Sequence, residues 1–166
     1  MKTFKGLILC VSLTLLVVPG AGANSNTDTI TVKTDTLKEN IFEAIRSIDY
    51  TSINVLLAEE MDVNIINQQG NTPLMVAAEV GNLRILDIIL THNPDINVRN
   101  QEGKTALMIA AETGQTHVVE KLLVHDADHM LKDNNDNTAL TLASTYGHNA
   151  VVNYIKEMRT QTTFAK

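Results

Sequence analysis

The chain has 166 residues, of which 44% are apolar, enough for one domain with a core, but only 4% are aromatic and there is no Trp. A core so short of rings must be filled with Leu, Ile, Val, Ala and Met, which suits thin helical layers better than a thick sandwich. The formal charge of −6 comes with no run of Lys or Arg, which disfavours nucleic acid and anionic membrane as partners.

Lys2 and Lys5 give a basic start, Leu7 to Val18 is an apolar run, and Pro19-Gly20 breaks it ahead of the small-residue site Ala21-Gly22-Ala23. The run is too short to span a bilayer as a mature helix. Basic, apolar and small-residue zones in this order predict a secretory signal peptide over 1–23, cut before Asn24, with no membrane anchor left after cleavage. Cys10 is the single cysteine and lies inside that segment, with Leu9 where a lipoprotein site needs a small residue. The mature chain then has no disulfide and no thiol chemistry. That fits a bacterial periplasm better than a eukaryotic extracellular space. Cleavage takes the bases from 13 to 11 against 19 acids, a formal charge of −8.

Residues 24–36, NSNTDTITVKTDT, are polar, Thr-rich and without apolar periodicity, and read as a flexible spacer. Helix is expected from Leu37, with Thr36 and Glu39 at capping-box spacing and Ile41, Phe42, Ala44, Ile45 and Ile48 at helical spacing. A second helix is expected from about Ser52 to Glu59, carrying Ile53, Leu56 and Leu57, and Asp62-Val63-Asn64 closes the unit.

The phrase GNTPLMVAAEVG at Gly70–Gly81 then recurs as GKTALMIAAETG at Gly103–Gly114 and DNTALTLASTYG at Asp136–Gly147, each 33 residues after the last. Each copy opens on a polar turn at Gly70, Gly103 or Asp136, where residues that tolerate positive φ let the chain reverse. Thr72, Thr105 and Thr138 stand where a helix N-cap belongs, and Pro73 follows at the first helical position. A short helix with paired alanines ends at Gly81, Gly114 or Gly147, and a second follows, as at Leu83–Thr91 and Thr116–Val124. The same register maps Ala44 onto Ala77, Ile53 onto Leu86 and Leu57 onto Leu90, so the unit occurs four times, over 37–66, 67–99, 100–132 and 133–158, with 159–166 as a tail. Two-turn helices are unstable alone in water, so the units must share one continuous core by stacking. The fold class expected is an all-α repeat solenoid.

Gly70-Asn71-Thr72-Pro73-Leu74-Met75-Val76-Ala77-Ala78-Glu79-Val80-Gly81 resembles the opening of an ankyrin repeat, G-x-T-P-L-H-x-A-A-x-x-G, and Asn93-Pro94-Asp95-Ile96-Asn97 and Asp126-Ala127-Asp128 resemble its G-A-D-V-N ending. The resemblance covers residues 37–158 and implies about four stacked helix-turn-helix repeats with hairpin-like finger turns. It departs from the family where Met75, Met108 and Thr141 replace a His, so the family's Thr-to-His hydrogen bond is absent and Met is expected to fill the space. It departs again where Ile48 replaces a Gly and where the last unit lacks the G-A-D-V-N ending, as capping units would.

Candidate chemistry is thin. HDADH, with His125, Asp126, Asp128 and His129, would suit a metal on a continuous helix, but the repeat register puts it in a turn. His148, just after Gly147, reads as structural. There is no G-x-S-x-G, no G-x-x-x-x-G-K-[ST] and no C-x-x-C, and Glu79 and Glu112 recur on a surface that gives no reason for one of them to be desolvated. No enzyme, cofactor or metal site is expected.

What remains is surface. By the resemblance, the fingers carry Gln68, Gln69, Asn71, Gln101, Glu102, Lys104, Asn134, Asn135 and Asn137. The concave ladder carries Arg46, Ser47, Glu79, Val80, Glu112, Thr113, Thr145 and Tyr146, with Tyr146 as its anchor. The function expected is a monomeric, non-enzymatic scaffold that binds a partner protein through these residues. Two other readings stand beside it: an accessory protein that handles a metal or cofactor for an exported enzyme, and a self-associating spacer.

Overall fold

The computed structural model describes residues 40–58 and 61–164. The expected signal peptide, the spacer, the Thr36–Glu39 capping box and the helix start at Leu37 lie outside them, as do Glu59 and Glu60. Eight helices form among the described residues: α1 (40–46), α2 (Tyr50–Ala58), α3 (Pro73–Val80), α4 (Leu83–Leu90), α5 (Ala106–Glu112), α6 (Thr116–Val124), α7 (Ala139–Thr145) and α8 (Asn149–Phe164). They are two-turn elements apart from α8, which runs on past residue 158 into the segment expected as a tail.

The local signals act where the sequence puts them. Thr72, Thr105 and Thr138 are extended N-caps whose hydroxyls accept the N–H of Met75, Met108 and Thr141, each at 3.3 Å. Pro73 opens α3, where its missing N–H costs nothing. Gly81, Gly114 and Gly147 follow their helices at φ 75, 73 and 77. Asn82, unrecognised in the sequence, caps α4 through the N–H of Arg84 and Ile85, at 3.1 and 3.2 Å. Asp49 does the same for α2 and starts it at Tyr50, two residues ahead of expectation: its carboxylate accepts the N–H of Thr51 and Ser52 at 3.0 and 3.2 Å.

Each unit lays an inner helix (α1, α3, α5, α7) against an outer one (α2, α4, α6, α8). The inner helices pack on one another more extensively than the outer helices do, α3 on α5 and α5 on α7 above all. The cause is the alanine pair: Ala77, Ala78, Ala110 and Ala111 are fully buried, and side chains this small let neighbouring inner helices approach closely. A row that packs closer on one side curves toward it, so the inner helices line the concave face. The outer helices are joined by larger side chains, among them Ile85, Leu86, Ile89, Val118, Val119, Leu122, Val151 and Ile155, which together with the inner row make one continuous core.

The end units are caps, and three positions show how. Val76, Ile109 and Leu142 are buried against the preceding unit, and the first unit has Glu43 there, exposed. Phe42, Met75 and Met108 are buried, and the last unit has Thr141, exposed. Ile45, Ala78 and Ala111 are buried, and the last unit has Ser144, exposed. The methionines fill the space as expected, and Met75 does more: its Sδ accepts the Thr72 N–H at 3.4 Å. In the last unit the Thr141 hydroxyl accepts the equivalent N–H, from Thr138, at 2.7 Å.

Ile48 holds the position that glycine fills in the other units, and it keeps the glycine conformation, φ 60. A β-branched residue is strained there, by about 1–2 kcal/mol. The residue is 43% exposed, so its burial returns less than that of a core isoleucine. Ile48→Gly should therefore stabilise the fold by about 1 kcal/mol, after the extra chain entropy of glycine is set against the relieved strain. A urea midpoint unchanged or lowered would show that the Ile48 side chain contributes contacts that outweigh its backbone.

Candidate partner-binding surface

Each finger is a small hairpin closed by its first residue. The N–H of Asn67, Asn100 and Asp133 donates to the carbonyl of Asn71, Lys104 and Asn137, and their carbonyls accept from Gly70, Gly103 and Asp136. Their side chains do the rest: Oδ1 of Asn67 accepts the N–H of Gln69 and Asn71, Oδ1 of Asn100 those of Glu102 and Lys104, and Oδ1 of Asp133 those of Asn135 and Asn137, all at 2.8–2.9 Å. These three residues were passed over in the sequence as mere unit boundaries. Their 33-residue recurrence as Asn or Asp beside a turn was the available signal.

Successive fingers are joined. The Asn134 N–H donates to the Glu102 carbonyl at 3.0 Å, and the Gln101 N–H to that of Gln69 at 3.3 Å. Side chains add to this: the Gln101 amide donates to the Gln68 carbonyl and the Asn134 amide to the Gln101 carbonyl, both at 2.9 Å, and the Asn100 amide to Asn71 Oδ1 at 2.7 Å. Asn71, Gln101 and Asn134, expected to face a partner, thus also hold the row together, and Asn137 donates to Asp133 at 3.2 Å. Gln68, Gln69, Glu102 and Asn135 are exposed at the tips. The opposite ends of the units are laced too: Asn64 and Asn97 Oδ1 accept the N–H of Asp95 and Asp128 at 2.8 and 2.9 Å, which is why Asn closes the D-V-N ending.

Along the ladder, Arg46, Ser47, Glu79, Thr113, Thr145 and Tyr146 are exposed, while Val80 and Glu112 are half-buried. Four predicted residues meet here. Lys104 Nζ reaches Glu102 at 2.9 Å and Glu112 at 2.8 Å, tying a finger to the inner helix of its own unit. The Tyr146 phenol of the next unit lies close enough to Glu112 for that carboxylate to act on it. Burial works against the Lys104 ammonium, but hydrogen bonds to Glu112 and Glu102 and their charges outweigh it and hold its pKa well above the ordinary lysine value. The Glu112 carboxylate also raises the Tyr146 phenol.

Asp133 lies near this cluster and is buried. Burial would raise its pKa, but bonds from Asn137 and Asn135 and the charge of Lys104 lower it below the usual 3.8. A carboxylate whose folded pKa is depressed contributes stability above its unfolded pKa and loses it as pH falls through the folded value. Asn does the same job at 67 and 100 without titrating. Asp133→Asn should therefore fold, and below about pH 4 it should lose stability less steeply than the wild type. Parallel urea midpoints between pH 5 and 3 would show that Asp133 is not held below its usual pKa.

His125 and His148 lie against backbone carbonyls. The His148 ring lies over Gly114, where an added Cβ would meet Nδ1 at 2.5 Å, and its Nε2 is 2.8 Å from the Glu112 carbonyl oxygen. In HDADH, α6 ends at Val124, His125 Nδ1 is 2.9 Å from the Lys121 carbonyl oxygen and Asp126 turns at φ 62. No group of three metal-ligating side chains is brought together among the described residues, and no helix there is long and apolar enough to cross a membrane.

A family model for ankyrin repeats in three copies matches residues 12–100, 41–133 and 78–163 in overlapping placements. The chain belongs to the ankyrin repeat family. No curated protein matches it. Membership explains why finger, inner helix, glycine turn and outer helix recur in one order, and it implies a protein-binding module. Within that frame, Lys104 and Tyr146 stand at positions that differ from unit to unit (Asn71, Lys104, Asn137; Val80, Thr113, Tyr146), while Glu112 repeats Glu79.

Proposed function

We propose that this ankyrin repeat protein is a non-enzymatic docking module, exported to the periplasm, that holds a partner protein against its fingers and concave face. The observation that carries the reading is a division of labour among side chains. Framework positions repeat and are consumed in building the scaffold: the alanine pairs in stacking, the threonine caps and Asn67, Asn100 and Asp133 in holding each helix and finger. The ladder positions that follow the alanine pairs vary more, although Glu79 and Glu112 repeat. Glu79, Glu112 and Thr145, and Val80, Thr113 and Tyr146, form a varied surface on a rigid scaffold, which is where partner specificity can be written. Export rests on the order of basic, apolar and small residues across 1–23.

The test is site-specific photo-crosslinking in cells from Gln69, Thr113 and Tyr146, with Glu120 on the outer helix as control. One common adduct from the first three and none from Glu120 is expected, in the periplasmic fraction. Adducts of equal strength from Glu120, or none from the concave side, would sink the reading. Tyr146→Ala should leave the urea midpoint near that of the wild type, because the ring is 55% exposed, yet reduce the adduct formed from Thr113. Unfolding of this variant would make the ring part of the core instead.

A further inference from the structure

We propose that the C-terminal half of the concave face, where Tyr146 stands beside Glu112 and Glu102, takes a basic side chain, arginine in preference to lysine, from an extended segment of the partner. The proposal rests on the docking function above and adds the chemistry of the group that docks.

Three observations point to it. The first is Tyr146, the one large apolar side chain of the ladder that is exposed among the described residues. Its ring stands beside Glu112 and turns about only two side-chain bonds, so it loses little freedom on binding.

The second is charge. Glu102, Glu112 and Asp133 surround a single ammonium, Lys104, which already contacts two of them at 2.9 and 2.8 Å. These four groups carry a net negative charge, and Thr113, Asn134, Asn135, Asn137 and Thr145 around them are uncharged, while the Arg99 guanidinium at the same finger donates to the Gly103 and Lys132 carbonyls. The side chain of Glu102 is 68% exposed and can accept from an incoming donor. An acidic segment would be repelled, and an aliphatic one would cover carboxylates without satisfying them. A guanidinium can lie on the ring and donate to a carboxylate at once, combining cation–π attraction with a charge-assisted hydrogen bond.

The third is an internal precedent. Elsewhere in the same stack the Arg84 guanidinium lies over the Tyr50 ring, 4.5 Å from its centroid, so the arrangement forms in this chain when a cation is at hand. The N-terminal half of the ladder offers no such place: it presents Arg46, Ser47, Glu79 and Val80, with a positive end and no ring.

The experiment selects random 12-residue phage-displayed peptides on the mature chain and measures the enriched peptides by fluorescence anisotropy at low and high salt. Arginine enriched at one position is expected, with affinity falling as salt rises. Tyr146→Ala should weaken the selected peptide roughly tenfold, as should replacement of its arginine by the neutral isostere citrulline, while Tyr146→Phe, which keeps the ring, should cost less. Glu102→Gln should also weaken it, and circular dichroism on each variant separates loss of binding from loss of fold. No basic position enriched, or citrulline bound as tightly as arginine, overturns the inference. Apolar peptides whose binding is lost in Tyr146→Ala overturn the basic site while keeping the docking face. Periplasmic crosslinking from the concave side tests the docking reading independently of either result.

Discussion

Leu107→Ala should lower the stability of the domain by about 2–5 kcal/mol, read as a drop in urea midpoint. Leu107 is 1% exposed, in α5, which packs against α3, α6 and α7. Truncation removes the transfer energy of the lost methyl groups and leaves a cavity that these short helices cannot close. Closing it would need inner helices to approach further, and the buried alanines at 77, 78, 110 and 111 leave no room for that. The position matters as much as the residue. In a linear stack each unit is held only by its neighbours, so a weakened internal unit loosens both interfaces it makes. The equivalent Leu140, in the last unit, is half-buried and has a neighbour on one side only. Leu140→Ala should cost less than Leu107→Ala. Equal costs would mean that stability is not shared through stacking.

The units were legible because stacking writes the same demand every 33 residues. Thr at the cap, Ala at the helix contact and a positive-φ residue at each turn are each the cheapest solution to a local problem, and the problem recurs. End units were legible by exception: Ile48 replaces the expected glycine in the first, and the last lacks the G-A-D-V-N ending. The lateral hydrogen bonds were not legible. Asn64 and Asn97 read only as the close of a unit, and Gln101 and Asn134 only as finger residues, because nothing in a single unit shows that the next one brings an N–H or a carbonyl within 3 Å of them. For the same reason Asn71, Gln101 and Asn134 read as wholly available to a partner. The Tyr146–Glu112–Lys104 cluster lay half-visible. Each residue was on the candidate surface, but their meeting depends on a finger folding back over its own inner helix and on the register of the following unit.

Gly103→Ala should cost about 2–4 kcal/mol, well above Gly147→Ala, although both replace a glycine at the same backbone angle. Gly103 has φ 76 and Gly147 φ 77, so the left-handed strain of about 1–2 kcal/mol is common to the two. What differs is the neighbour. A Cβ on Gly147 would meet nothing within 4 Å. A Cβ on Gly103 would come within 2.9 Å of the Asn134 backbone nitrogen, 2.6 Å of Arg99 Nη2 and 2.4 Å of Asn134 Oδ1. None of these can swing away freely. The Asn134 N–H is bonded to the Glu102 carbonyl at 3.0 Å, and Arg99 Nη2 donates to the Lys132 carbonyl at 2.7 Å. The added methyl must push one finger off the next. The chain already contains the control: Asp136, the counterpart of Gly103, carries a full, exposed side chain at φ 62. If the two alanine variants lose equal stability, the fingers are not in register in solution, and the surface they present to a partner is not the one described here.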